Sequence, residues 1–259
     1  MNEKIIVQIK DIGMIYHSLD GETEAIKNIN LNIHQGEIVG IVGHIGCGKS
    51  TLLSIVAGLI QPSSGEVFIN EEKVVNSSRN IGYMFQNDQL LEWRTILHNV
   101  MLGIEIQRRL SLETYKIAEE MLEKYGLGDF KNSYPSQLSG GMRQRAALIR
   151  TLLLEPDFLL LDEPFSALDY QTRLAIADEI GIILKKENKT GLLVTHDIAE
   201  AISLCDRIVI LSNRPATIKE IIDIELTCPE GIKSPLRCRE APEFRHYFNK
   251  IWKELDVHV

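Results

Sequence analysis

One segment of this 259-residue chain has the composition of a phosphate-binding loop. Residues 43–50 read GHIGCGKS and fit the pattern G-x-x-x-x-G-K-[ST]. Glycines let backbone amides surround phosphate oxygens, Lys49 supplies positive charge, and the hydroxyl of Ser50 suits Mg²⁺. A predicted strand before the loop and a predicted helix after it favour this interpretation over a glycine-rich turn with a chance lysine. The expected nucleotide-binding residues here are Gly43, Gly46, Cys47, Gly48, Lys49, Ser50 and Thr51.

A second candidate segment lies at 158–163, where the residues read FLLLDE. Four apolar residues predict a buried strand, and ligands of open parallel sheets bind at the carboxyl ends of the strands. We expect Asp162 to bind Mg²⁺, directly or through water. Glu163 would orient or deprotonate the water that attacks the γ-phosphate, a reaction in which the protein mainly positions groups and stabilises charge. The alternative is that Glu163 only begins a loop.

A third segment, at 138–145, reads LSGGMRQR. Ser139 is a favourable helix N-cap, and Gly140 and Gly141 expose backbone amides at the start of that helix, which makes a second anion site. Taken alone, this segment is an ordinary helix cap, and Arg143 and Arg145 are ordinary solvent-facing side chains. Paired with the phosphate loop, it predicts that one ATP needs two phosphate-binding surfaces, contributed by two molecules.

The pattern of apolar residues predicts the elements that hold these segments. Period-two alternation and short apolar runs predict strands at 5–16, 28–34, 38–42, 66–70, 81–85, 158–161, 192–194 and 207–211. Helical spacing predicts helices at 50–60, 95–109, 112–125, 140–154, 170–187, 197–204 and 244–252. Alternating strands and helices favour a parallel sheet with right-handed crossovers, and the run of helices in the middle of the chain predicts a helical insert.

Composition limits the classes of protein that fit the chain. Hydrophobic residues make up 44% and charged residues 25%, as in ordinary globular proteins. The formal net charge of -8 argues against nucleic acid as the main partner. No apolar run reaches the roughly 18 residues that span a bilayer, and the N-terminus is too polar for a signal peptide, so we expect a cytoplasmic chain. The four cysteines form no Cys-x-x-Cys pair, which predicts isolated, reduced thiols.

The three segments, in this order, resemble the ATP-binding subunits of ABC transporters over roughly residues 5–225. The stretch LSGG matches the signature motif of that family. Gln86 lies where the family has its glutamine loop, and His196 lies where it has its switch histidine. Tyr16 is placed like the aromatic residue that stacks on adenine, and Ser166-Ala167-Leu168-Asp169 matches the loop after the acidic strand. Taken singly, these residues would be structural, and only their order favours function.

This resemblance implies a role for each matching residue. The implied catalytic residues are Glu163, His196 and Gln86, and the implied magnesium ligands are Ser50, Gln86 and Asp162. The implied nucleotide contacts outside the phosphate loop are Tyr16, Ser139, Gly140, Gly141 and Asp169. ATP and Mg²⁺ are therefore the expected cofactors.

The same resemblance implies a fold and a division of the chain. The expected fold class is α/β: a P-loop NTPase (RecA-like) core with an N-terminal antiparallel β subdomain and an inserted α-helical subdomain. A single ABC ATPase domain would cover 1–259. The core with its β subdomain would take 1–90 and 155–225, the helical subdomain 91–154, and a C-terminal helical tail 226–259.

An assembly is implied as well. Two copies would form a head-to-tail dimer with two ATP molecules between them, the phosphate loop of one facing the Ser139 turn of the other. Permease subunits would hold this dimer at the cytoplasmic face of the cell membrane, and a periplasmic or extracellular solute-binding protein would act indirectly. Nucleic acid is not an expected partner.

Finer resemblance points to importers of the nitrate, sulfonate and taurine type. Residues 85–95 read FQNDQLLEWRT and are similar to the segment after the glutamine loop in that group, although Glu92 stands where proline is common. His44 and Ile45 also depart from the usual Pro and Ser. We expect 87–103 to dock the permease, with Leu90, Leu91 and Trp93 as an apolar groove, unless they are core residues of the insert. A soluble ABC-type ATPase without a membrane partner stays open as the alternative function.

Overall fold

Two β-sheets with different strand arrangements form the body of the protein. The computed structural model describes residues 4–18, 21–227 and 235–255. The fold is α/β, with a P-loop NTPase core, an antiparallel β region and an inserted helical region, as the sequence predicts. The strands are β1 (Ile5–Ser18), β2 (Gly21–His34), β3 (Ile38–Val42), β4 (Ser64–Ile69), β5 (Glu72–Lys73), β6 (Ile81–Met84), β7 (Phe158–Asp162), β8 (Gly191–Val194), β9 (Arg207–Leu211) and β10 (Ile218–Asp223).

The helices lie between and beside these strands. They are α1 (Lys49–Val56), α2 (Ile96–Val100), α3 (Leu102–Ile106), α4 (Leu112–Lys124), α5 (Gly140–Leu152), α6 (Tyr170–Lys186), α7 (Ile198–Leu204), α8 (Pro235–Cys238) and α9 (Phe244–Glu254), with short 3-10 helices at Gly128–Phe130 and Pro135–Gln137. The predicted helix at 95–109 is two short helices that meet at Met101. Gly103 lies so close to Leu154 that a Cβ would be 2.8 Å from that side chain. The apolar periodicity of the sequence does not reveal this contact, so it predicted a single helix.

The smaller sheet is antiparallel, with strand order β2-β1-β4-β5. The sequence predicted only the second half of β2. Register shifts between Ile9 and Ile12, and again between Ile12 and Met14, interrupt the pairing of β1 with β2. Asp11 and Asn28 have φ of +50°. Such irregularities break the period-two alternation on which the prediction depended.

The larger sheet has strand order β10-β9-β3-β8-β7-β6, and the strands from β9 to β6 run parallel. All five residues of β3 are buried, which fits a central strand covered on both faces. β3 lies between β8 and β9, so the loop after it opens at the middle of the sheet edge. The antiparallel edge strand β10 was not predicted, because the chain after 213 showed no clear alternation.

Three apolar clusters hold these layers together. One lies between the two sheets and includes Leu52 and Leu53 of α1. A second lies on the opposite face of the large sheet and joins α6, α7 and α9, with Ile251 completely buried. The third is the core of the helical insert around Val100 and Leu122. The tail helix α9 thus packs on the main core, and the predicted helix at 244–252 is confirmed.

The cysteines differ from one another. Cys47 and Cys205 are free and buried, as predicted. Cys238 is disulfide-bonded, so the expectation of an isolated thiol is wrong there. Cys228 lies outside the described residues. Spacing along the chain does not show which thiols form disulfides, and for this reason the absence of a Cys-x-x-Cys pair was a poor guide.

No helix within 4–18, 21–227 or 235–255 combines the length and the apolar character needed to cross a bilayer.

Candidate nucleotide site

The phosphate loop joins β3 to α1, so a strand precedes it and a helix follows it. Gly46 and Gly48 have φ of +77° and +129°, values that L side chains rarely adopt. A Cβ on Gly48 would also lie 3.0 Å from the carbonyl oxygen of Ala25. Glycine is therefore required at 48 for both conformation and space. The loop leads its amides to the N-terminus of α1, where the helix dipole favours an anion.

Lys49 lies inside this loop and is only 6% exposed. Its ammonium group donates to the carbonyl oxygens of Gly43 at 2.8 Å and His44 at 3.0 Å. These bonds hold the charge at the centre of the loop, where phosphate oxygens would meet it. Ser50, the next residue, is exposed at the first turn of α1.

Tyr16, Cys47 and Thr51 lie around the same loop. The hydroxyl of Tyr16 is 3.2 Å from the hydroxyl of Thr51, which places the ring beside the start of α1. Tyr16 is 42% exposed, so its ring is accessible to a ligand. The thiol of Cys47 is buried against Gly43, where a Cβ would lie 2.9 Å from the sulfur. Cys47 therefore contributes its backbone to the loop and packs its side chain inward.

Asp162 ends β7, at the same edge of the sheet as the phosphate loop. The hydroxyl of Tyr83 donates to its carboxylate at 3.2 Å. Burial raises the pKa of Asp162, although this hydrogen bond and the charge of Lys49 act in the opposite direction. The partly buried carboxylate is thus a position where a cation is favourable.

Two side chains converge on one carboxylate oxygen of Glu163. Nδ1 of His196 lies 3.2 Å from Oε2 of Glu163, and Nε2 of Gln86 lies 3.3 Å from the same oxygen. Gln86 also donates to the hydroxyl of Ser166 at 3.1 Å. The backbone of Glu163 has φ of +45°, and its amide donates to the carbonyl of Val194 at 2.8 Å. The structure thereby brings together the three residues that the sequence named as catalytic.

The donor chemistry at this edge suits magnesium. The hydroxyl of Ser50, the amide of Gln86 and the carboxylate of Asp162 are all hard oxygen donors. Mg²⁺ in nucleotide sites takes one or two carboxylates together with phosphate oxygens and water. The charge of Lys49 acts on the pKa of Asp162, so the two side chains lie near each other beside the phosphate loop. The residues present therefore fit the ion.

The Ser139 turn belongs to the helical insert and caps α5. The hydroxyl of Ser139 accepts from the amide of Met142 at 3.4 Å, and both Ser139 and Gly140 are exposed. A Cβ on Gly140 would lie 3.0 Å from Leu168, and one on Gly141 would lie 2.9 Å from Ile176. These glycines therefore have a packing function that the sequence did not predict: Gly141 lets α5 approach α6 closely, and Gly140 leaves room for Leu168 in the loop before α6.

Asp169 precedes α6 and caps it. Its carboxylate accepts from the amide of Thr172 at 3.1 Å. Hydrogen bonds with Thr172 lower the pKa of Asp169. The side chain that the resemblance assigned to nucleotide contact is thus engaged, in this chain, as a helix cap.

Two contacts of the site were missed from the sequence. Tyr83 on β6 supports Asp162 on β7, and Ser166 supports Gln86. Ser166 lies in a loop that the sequence had singled out, so its involvement was within reach. Tyr83 left no signal, because only the pairing of β6 with β7 places it beside the acidic strand end.

The loop lies between a central parallel strand and a helix, and carboxylates lie at the end of β7, on the far side of β8 from β3. This arrangement defines the class of P-loop nucleotide-binding proteins. The family described as ABC transporter matches residues 26–166, which is more than half of the chain. The chain belongs to the ABC transporter ATP-binding family and is an ABC ATPase.

Curated relatives and a solved structure align over most of the chain. An uncharacterized ABC transporter ATP-binding protein of Bacillus subtilis (strain 168), YtlC, is 46% identical and covers 96% of this chain and 95% of the relative. Nitrate import ATP-binding protein NrtD of Synechocystis sp. is 37% identical, covering 95% and 93%. Aliphatic sulfonates import ATP-binding protein SsuB of Bacillus thuringiensis subsp. konkukian is also 37% identical, covering 93% and 96%.

The solved structure is a dimeric post-hydrolysis state of an ATP-binding cassette bound to ADP and Pi. It is 34% identical in sequence, with a TM-score of 0.73, and covers 85% of this chain and 99% of the cassette. Both sequence and fold thus agree with the family.

Proposed function

We propose that this chain is the ATP-hydrolysing subunit of an ABC importer, which dimerises around ATP and powers solute uptake through a separate permease. The convergence of His196 and Gln86 on Oε2 of Glu163 carries this proposal. A carboxylate held by two neighbours, next to a buried lysine in a phosphate loop, is arranged for hydrolysis rather than for binding alone. The names of the nitrate and sulfonate import relatives support import.

Nucleotide binding is assigned to the loop. Backbone amides at Gly46 and Gly48, together with the ammonium of Lys49, would hold the phosphates. The adenine would stack on the accessible ring of Tyr16. Ser50, Gln86 and Asp162 would hold Mg²⁺, which neutralises charge on the phosphate oxygens when bound.

Hydrolysis is assigned to the Glu163 group. Its carboxylate would orient or deprotonate the attacking water, while His196 and Gln86 fix the direction in which the carboxylate points. In this reaction positioning and charge stabilisation supply most of the catalysis. The hydrogen bond from the amide of Glu163 to the carbonyl of Val194 holds the backbone from which this carboxylate extends.

A second copy of the chain is the proposed partner across the nucleotide. The Ser139 turn is exposed, and its hydroxyl bonds only to the amide of its own helix among the described residues. ATP in one subunit would present its γ-phosphate to this turn of the other. Nucleotide then stabilises the closed dimer, because it contacts both subunits there and only one in the open state.

The proposed permease contact lies on the insert. Trp93 is 76% exposed, but Leu90 is 7% exposed and belongs to the core of the insert. The predicted groove is therefore corrected at Leu90, which packs in the apolar core of the insert. Trp93 remains the candidate contact for a short cytoplasmic helix of a permease. The chain would then lie at the cytoplasmic face of the membrane, and a solute-binding protein would act through the permease.

The decisive experiment replaces Glu163 with Gln. We expect ATP binding to persist, turnover to fall about 10²- to 10⁴-fold because a positioned base is lost, and an ATP-bound dimer to accumulate. Gel filtration with magnesium and ATP measures the dimer, and phosphate release measures turnover.

Its control is Glu120→Gln, which alters an exposed carboxylate of α4 that forms an ion pair with Lys116. That variant should hydrolyse ATP like the parent protein. Finding only monomer for Glu163→Gln under magnesium and ATP would contradict the proposed sandwich dimer.

A second experiment replaces Trp93 with Ala and measures transport and ATPase activity in the assembled transporter. Transport should fall while basal hydrolysis by the isolated chain persists, because Trp93 lies outside the nucleotide site. Trp252→Ala, which removes the only other tryptophan, is the matched control. Unchanged transport would reject Trp93 as a docking residue, and failure to copurify any permease from native membranes would favour the soluble ATPase instead.

A further inference from the structure

Helix α5 holds the segment that follows the glutamine loop through three side chains. Gln144 donates to the carbonyl of Gln86 at 3.4 Å. Arg150 donates to the carbonyls of Gln89 at 2.7 Å and Asp88 at 2.6 Å. These bonds fix the backbone of the segment, which has no regular secondary structure of its own.

Arg143 adds a different kind of contact, because it joins side chains. Its guanidinium donates to the carboxylate of Asp88 from Nε at 2.8 Å and from a terminal nitrogen at 3.3 Å. The same terminal nitrogen donates to Glu92 at 2.8 Å. One cation thus bridges both ends of 88–92, a segment that ends next to the exposed Trp93. Sequence alone had made Arg143 an ordinary solvent-facing residue.

The electrostatics keep this bridge charged. Burial by itself would raise the pKa of Asp88, but hydrogen bonds from Arg143 and from the amide of Leu90 prevail, so the pKa of Asp88 is lowered. The Arg143 side chain is 26% exposed and that of Asp88 is 18% exposed. The pair is therefore partly shielded from solvent, where a two-point guanidinium contact is more directional than a surface ion pair.

The position of Arg143 in the chain gives this bridge its consequence. It lies in the first turn of α5, and its amide donates to the carbonyl of Ser139 at 3.0 Å. The segment it bridges begins two residues after Gln86, whose side chain contacts Glu163. Arg143 thus connects two parts of the site. One is the Ser139 turn, which would face the ATP of the neighbouring copy. The other is the glutamine loop, which contacts Glu163 and so serves the ATP of this chain.

We propose that Arg143 is a positioning residue, which through Asp88 and Glu92 fixes the glutamine-loop segment to the Ser139 turn and so sets both halves of the ATP site in register. Glu92 extends the bridge to the docking surface. The inference rests on the proposed dimeric ATPase and goes beyond it.

The test is a charge exchange. Arg143→Met should lower kcat about 10- to 100-fold, because small misplacements of catalytic groups carry penalties of that size. Binding of a fluorescent ATP analogue to the isolated chain should be unchanged, because Lys49 and its loop are untouched. The double variant Arg143→Asp/Asp88→Arg restores an opposite-charge pair and should recover a large part of kcat. Glu92→Gln should give a smaller loss, because the two bonds to Asp88 remain.

Lys116→Met is the matched control, because it removes an exposed ion pair with Glu120 in the same insert and contacts neither loop. Unchanged kcat in Arg143→Met would overturn the proposal. So would a loss that the charge exchange leaves uncorrected. If Arg143→Met fails to fold, Asp88→Asn serves in its place and should show the same selective loss of kcat.

A separate measurement distinguishes this inference from the proposed function. ATP-induced dimerisation in the Glu163→Gln background tests the dimer with Arg143 intact. If that dimer forms and Arg143→Met leaves hydrolysis unchanged, only the positioning proposal fails. If no dimer forms, the proposed function fails first.

Discussion

The phosphate loop and the Ser139 turn both place glycines at a helix N-terminus, yet they are built in opposite ways. The loop surrounds a lysine that is 6% exposed, and Gly46 and Gly48 have positive φ. In the Ser139 turn, by contrast, Gly140 begins a regular helix and remains exposed. The glycines of the loop serve backbone conformation, whereas Gly141 in the Ser139 turn serves the close approach of two helices.

This difference shows that the two surfaces are unequally equipped to bind phosphate. The phosphate loop carries its own cation, Lys49, whose ammonium group donates hydrogen bonds to two carbonyl groups of the loop. The Ser139 turn offers amides and a hydroxyl but has no lysine of its own. The Ser139 turn therefore offers phosphate mainly backbone amides, and a site shared with the phosphate loop of another copy would add the charge of Lys49.

The largest expected effect in this comparison comes from removing the charge of the phosphate loop. Lys49→Ala removes the buried cation and leaves two carbonyls in the loop without a donor. ATP affinity should fall about 10- to 100-fold, because a hydrogen bond to a charged group contributes about 1.5–3 kcal/mol. Equilibrium binding of a fluorescent ATP analogue measures the change.

The control for this variant is Lys73→Ala, which removes an exposed lysine of the antiparallel sheet paired with Glu66. It should bind ATP as the parent protein does. Normal ATP affinity in Lys49→Ala would show that residues 43–50 are not the phosphate site.

A smaller effect is expected from the Ser139 turn, where Gly141 serves helix packing. A methyl group on Gly141 would lie 2.9 Å from Ile176, so Gly141→Ala should push α5 away from α6. Overpacking of this kind costs about 1–3 kcal/mol of stability. Chemical denaturation measures the loss, and ATP binding by the isolated chain should not change.

The companion variant Gly141→Ala/Ile176→Val removes Cδ1, one of the two Ile176 atoms that lie 2.9 Å from the added methyl, and should recover part of the stability. A Gly141→Ala protein as stable as the parent would refute the idea that this glycine serves helix packing. It would leave phosphate contact as the reason for glycine at 141.

The smallest expected effect, taken per pH unit, concerns a carboxyl buried on α7, on the face of the large sheet opposite α1. Burial raises the pKa of Glu200 on α7 from 4.5 to about 8, and the charge of Asp197 adds to this. Between these values the native state holds a proton that the unfolded state releases, so stability falls as pH rises through the window. The slope is at most about 1.4 kcal/mol per pH unit.

Glu200→Gln should remove this slope, because the amide does not titrate. Urea denaturation at several pH values between 4.5 and about 8 measures the slope of stability against pH. Parallel pH profiles for the variant and the parent protein would show that Glu200 does not titrate there.

Much of the fold was predictable from local patterns. The short buried strands around β3, β7 and β9 and the helices α4, α6 and α7 were expected within a few residues of their bounds. Errors fell where long-range packing overrides local pattern. The irregular pairing of β1 hid half of β2, and β10 formed because β9 offered an edge to pair with.

The candidate site divides in the same way. The phosphate loop was identifiable because contiguous residues encode it. Gln86, Glu163 and His196 come from three separate segments, and their order suggested a site without showing that they share one oxygen. Arg143 was misread, since its partners lie more than fifty residues away in the chain.

The sequence by itself determined the chemistry that is encoded contiguously: a loop that binds phosphate, an acidic strand end and a capped helix with two glycines. Local residue types suffice for these, because backbone conformation and charge over a few residues define them. Only the tertiary structure decided which distant side chains meet. Sheet order placed Tyr83 beside Asp162, and helix packing placed Arg143 between Asp88 and Glu92. Such contacts depend on how whole elements pack, and the packing is set by the entire buried core.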